Sequence, residues 1–77
     1  MKRTGEPHIW EEEITDFHSL LIDTRRFEIR LVEDHEFSSE IRTEVLKIWH
    51  FEEEPTIGNL GKILSEVPEI LGIEVEL

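Results

Sequence analysis

Four histidines, His8, His18, His35 and His50, stand among 19 aspartates and glutamates. Imidazole and carboxylate together form the donor set of zinc and related divalent ions. No two of these histidines are four residues apart, the spacing that puts a ligand pair on one helix face, and there is no cysteine to complete a site. The expectation is therefore surface or boundary histidines, with no metal and no cofactor. The lack of cysteine also excludes a disulfide framework, a thiolate nucleophile and a thiol redox switch. With so many carboxylates some approach each other by chance, so a close pair is no sign of acid–base catalysis. Ser19, Ser38, Ser39 and Ser65 lack the glycine-flanked setting of a nucleophile elbow, and Gly58-Asn59-Leu60-Gly61-Lys62 lacks the spacing of a phosphate-binding loop. The two glycines are expected instead to let a helix pack closely on a sheet. The roles of a catalytic site cannot be filled, and no enzyme is expected.

Charge is the more informative pattern. Eight basic residues leave a formal net charge of -11, a field that repels nucleic-acid phosphates and anionic lipid and favours basic partners. The acidic residues are bunched: Glu11, Glu12 and Glu13 form one triplet and Glu52, Glu53 and Glu54 another, while Glu33, Asp34, Glu36, Glu40 and Glu44 make a third dense segment. Such runs can simply solvate a face, or they can present carboxylates to a basic groove, standing where phosphates would lie. Trp10 beside the first triplet is the kind of side chain that anchors an interface. Trp10 with the two triplets is accordingly the candidate partner-binding set.

The elements that must carry these residues follow from periodicity. Seventy-seven residues make one domain. Residues 1–8 are polar and read as a loose arm, leaving 9–77 as the acidic domain. Residues 9–23 fit two templates: Trp10, Ile14, Phe17 and Leu21 recur at helical spacing, yet a strand starting near Phe17 agrees better with Thr15, Asp16, His18 and Ser19, which are poor helix formers. Asp23 suits the head of a turn. Phe27, Ile29 and Leu31 alternate with Glu28 and Arg30 as in a half-buried strand. Residues 34–40 are polar and read as a loop. Residues 43–51 are β-branched and aromatic on both faces, as in a central strand. Thr56 then caps a helix whose apolar face is Ile57, Leu60, Ile63, Leu64 and Val67, ending or kinking before Pro68. Ile73, Val75 and Leu77 alternate with Glu74 and Glu76 as a last strand. The predicted fold is α+β, in the order β-β-β-α-β, with a three- to four-stranded sheet packed on one helix.

From Arg42 onwards, Val45-Leu46, Ile48, Glu54-Pro55-Thr56-Ile57-Gly58-Asn59-Leu60-Gly61-Lys62-Ile63-Leu64 and Pro68-Glu69 follow an order similar to the helix-turn-helix core of winged-helix transcription regulators. That resemblance implies a mainly helical alternative, in which residues 43–51 are helical and the chain is a degenerate transcription regulator. The segment matching a recognition helix, residues 69–77, contains no lysine or arginine, whereas a helix in a major groove needs base donors and positive charge. The scarcity of asparagine, with no glutamine or cysteine, and the wealth of glutamate suit a heat-adapted source or, alternatively, an acidic viral protein.

No run approaches the roughly 18 apolar residues of a membrane span, and no apolar stretch follows Lys2 and Arg3 as in an export signal. These features lead to the expectation of a cytoplasmic, non-enzymatic regulator or inhibitor that binds a basic protein partner. The alternative is a structural subunit or homo-oligomer whose charge serves only solvation.

Overall fold

In a computed structural model of the chain, residues 2–37 and 40–72 are described. Five strands, β1 (Lys2–Arg3), β2 (Ile9–Glu13), β3 (His18–Asp23), β4 (Glu28–Phe37) and β5 (Glu40–His50), precede one helix, α1 (Ile57–Leu71). The strands form a single antiparallel sheet in sequence order. The α+β class is as expected, but among the described residues there are five strands rather than three or four, and all of these come before the helix. The strand expected at residues 73–77 lies outside the described residues. Residues 1–8, read as an arm, include β1, in which Lys2 and Arg3 pair with Glu11 and Trp10.

Polar side chains fold the turns. Thr15 Oγ1 accepts from the backbone N–H groups of Phe17 and His18 at 3.1 and 3.0 Å; the strand expected from near Phe17 follows as β3, and residues 9–13 add a second strand, β2, in place of the helical alternative. Asp23 Oδ1 accepts from the N–H groups of Arg25 and Arg26 at 3.0 and 2.9 Å, the turn its side chain favours. This turn closes on Phe27 with φ of 55°, a left-handed conformation that costs a non-glycine residue about 1–2 kcal/mol. At the helix start, Thr56 accepts from the Asn59 N–H while Asn59 Oδ1 accepts from the Thr56 N–H, satisfying two backbone donors reciprocally.

The core lies between α1 and the middle of the sheet. Leu20 pairs with Leu31 and Ile22 with Ile29 across β3 and β4, and these four meet Leu60, Ile63 and Val67 of α1. Trp10, Ile14, Trp49, Phe51, Leu64 and Leu71 pack around the edges of this cluster. Ile57, expected on the packed face, is 82% exposed. At about 100° per residue it stands roughly 90° from the centre of the Leu60, Ile63, Val67 stripe. Pro68 does not end the helix, which continues to Leu71. Pro68 lacks the N–H that would bond the Leu64 carbonyl, so one helical bond is given up and the remaining turn to Leu71 is kept. Gly72, in the left-handed conformation, closes the helix by donating to the carbonyls of Glu69 and Pro68.

Three further expectations are corrected. The polar segment 34–40 is mostly strand rather than loop, because the β4–β5 hairpin runs past the core, where a strand has no need of apolar residues. Residues 43–50 lie in an edge strand, not a central one, and not in a helix, so the winged-helix alternative does not hold. The glycines are not close-packing devices: a Cβ on Gly61 would meet nothing within 4 Å, and one on Gly58 only Thr56 Oγ1 at 3.6 Å. Among the described residues, no helix is long and apolar enough to cross a membrane. Since Gly61 is exposed inside a helix, Gly61→Ala is expected to stabilise the fold by about 1 kcal/mol. That should raise the thermal midpoint by roughly 4–8 °C in calorimetry; an unchanged or lowered midpoint would mean that the glycine serves packing after all.

Candidate partner-binding surface

Strand alternation decides where the candidate residues point. Trp10 pairs with Ile22 and Glu12 with Leu20, so both share the helix-side face, while Glu11 and Glu13 pair with Leu21 and Ser19 on the far face. The first triplet is therefore divided between two faces. Glu13 and Glu11 accept ion pairs from Lys2 at 2.5 and 3.3 Å. The Glu13 hydrogen bond, followed by that of Glu11, holds the Lys2 ammonium above its ordinary value, and the same Lys2 bond holds the Glu13 carboxyl below its own.

The second triplet is placed differently. Glu52, Glu53 and Glu54 are exposed in the loop between β5 and α1 and, with Phe51, Thr56 and Asn59, line a shallow depression of about 300 Å³. Thr56 is also part of the neighbouring cleft, about 150 Å³ in volume, which is walled by Trp10, Ile22, Thr24, Pro55, Ile57 and Leu60. The two hollows share Thr56 and lie on either side of the start of α1, the apolar one with Trp10 and Ile57, the other with the three exposed carboxylates and Asn59. Sequence reading missed Ile57 and Pro55 as members; the angular offset of Ile57 from its helix stripe was the available signal. Arg3 lies over the Trp10 ring at 5.4 Å, a cation–π contact that steadies the half-buried indole.

Elsewhere charges are compensated by neighbours. On the far face, Glu28 is buried and binds Arg30 at 2.5 Å, and buried Asp23 approaches Arg26 at 4.0 Å. Each histidine meets a carboxylate: His8 with Glu6 at 3.2 Å, His18 with Glu33 at 3.3 Å, His35 with Glu33 and Glu44 at 3.3 Å, and His50 with Glu28 at 3.7 Å. Among the described residues, no group of three His, Asp or Glu side chains is arranged to hold a metal ion.

Comparison with known protein families, curated proteins and solved structures returns no match.

Asp23, away from this surface, gives the fold a pH signature. Burial pushes its carboxyl upward, but the N–H donors of Arg26 and Arg25, with the nearby His8 and Arg26 charges, outweigh this and hold it below the ordinary 3.8. A depressed folded-state value stabilises the protein above the unfolded value, and that stability is lost as pH falls through the folded one. Asp23→Asn should lower the thermal midpoint at neutral pH, and the gap to the unaltered protein should narrow below about pH 4. Melting curves between pH 7 and pH 2 measure this; a gap independent of pH would contradict the assignment.

Proposed function

We propose that this protein is a non-enzymatic regulator or inhibitor that binds a protein partner with a basic surface through the N-terminal end of α1. The observation that carries this reading is Ile57, 82% exposed beside Trp10 and an apolar cleft, with Glu52, Glu53 and Glu54 exposed alongside. A cleft of about 150 Å³ is large enough for one ring-sized apolar group. The carboxylates across Thr56 from it favour lysine or arginine on that side of the bound group, and their field speeds encounter with a basic surface. A groove that ordinarily receives nucleic-acid phosphates has this character, and residues 52–54 stand in for the phosphates. Exposed charge of this kind contributes little to folding, which leaves the cluster of one sign at residues 52–54 available for contact. No catalytic step and no direct contact with nucleic acid is part of this reading.

The test uses the protein captured from native extract by the unaltered chain. Lysine at positions 52, 53 and 54 together, or Ile57→Asp alone, is expected to weaken its binding at least about tenfold, a loss of roughly 1.4 kcal/mol. Glutamine at positions 11 and 13, whose carboxylates face the other side of the sheet, should leave binding nearly unchanged. Raising salt should weaken the unaltered complex steeply and the lysine variant little. Equal loss from both sets of variants, or loss from neither, would overturn the assignment of this end of the molecule.

A further inference from the structure

The sheet has two edges, and they differ. β1 is two residues long, whereas β5 runs for eleven and, among the described residues, pairs with β4 along one side only. Residues 42–48 of β5 are all exposed, including Val45 at 43%, Leu46 at 37% and Ile48 at 38%. A long apolar edge with unpaired backbone groups is a template for another strand. Along residues 40–48, Arg42 and Lys47 balance Glu40 and Glu44, so the strip is neutral in a chain of net charge -11, and two copies can approach there with little repulsion.

The strip is also self-complementary. The β4–β5 register pairs Leu31 with Lys47 and Val32 with Val45, leaving Leu46 as a bulged residue. A bulge interrupts an edge, so regular pairing is confined to the stretch from Glu40 to Leu46, whose midpoint is Thr43. Arg42 lies opposite His35 and Glu44 opposite Glu33 on β4, two positions apart, so Arg42 and Glu44 share one face of the sheet. We propose that β5 pairs antiparallel with β5 of a second copy about a two-fold axis at Thr43, setting Arg42 of each copy opposite Glu44 of the other. The two sheets join into one of ten strands. The symmetry is isologous, and each cross-strand contact is made twice. Thr43 is seven residues from His50, roughly 23 Å along the strand, so the cleft at the start of α1 stays open in both copies. The dimer does not depend on the partner-binding reading, and neither fails with the other.

Sedimentation equilibrium of the full chain over a hundredfold concentration range tests this. The unaltered protein is expected to dimerise. Arg42→Glu and Glu44→Arg each set like charges opposite one another, and each alone is expected to weaken the dimer at least about tenfold. An equal mixture of the two variants restores opposite charges at both contacts and is expected to recover a heterodimer, which also shows that neither variant has lost its fold. A monomer at every concentration of the unaltered chain, single variants that dimerise as well as it does, or a mixture that stays monomeric would each overturn the proposal.

Discussion

One helix has to serve a five-stranded sheet. A helix with its side chains is about 10–12 Å across, while five strands at about 4.8 Å spacing span roughly 19 Å. Full burial is therefore available only in the middle, where Leu20, Ile22, Ile29 and Leu31 meet Leu60, Ile63 and Val67. Towards either edge burial becomes partial, and tryptophan takes over, Trp10 on β2 and Trp49 on β5. A cation covers each ring: Arg3 lies 5.4 Å from Trp10 and Lys47 lies 5.0 Å from Trp49. Large side chains with capped faces extend the core to where the helix does not reach.

The face turned away from α1 has no second layer among the described residues, and it is closed by paired polar groups. Asp23 and Glu28 are buried there with Arg26 and Arg30 nearby, and Glu11 and Glu13 hold Lys2. Burying a carboxylate is tolerable when donors satisfy it, as the backbone N–H groups of Arg25 and Arg26 do for Asp23. Much of the acidity is thus absorbed by the fold. Among the described residues Glu52, Glu53 and Glu54 form no ion pair, and their position at the start of α1, across Thr56 from an apolar cleft, is what separates function from mere solvation in the proposed reading.

The sequence was legible where one local rule acted alone. The alternation of Ile29 and Leu31, the turn headed by Asp23 and the cap at Thr56 each depend on a few neighbouring residues, and each appears as expected. It was less legible where tertiary geometry decided. Glu11, Glu12 and Glu13 look like one patch along the chain, but pleating sends them to two faces. Strand residues 34–37 look like a loop because a hairpin extending beyond the core needs no apolar pattern. Residues 43–50 look central from their composition, yet among the described residues no strand pairs with the outer side of β5. The cleft at Trp10 joins residues 10, 22 and 55–60, and no sequence period links segments so far apart.

The account rests on α1 and the β3–β4 pair forming a single cooperative unit, with the flanking strands depending on it. Native-state hydrogen exchange measures this residue by residue. The amides of Leu20, Ile29, Leu31, Ile63 and Val67 are predicted to exchange only through global unfolding, with one common free energy, while those of β1 and the outer part of β5 exchange through smaller openings. Helix amides that exchange at markedly lower free energy than those of β3 and β4, while the sheet stays protected, would show that the sheet stands without its helix and would contradict the account.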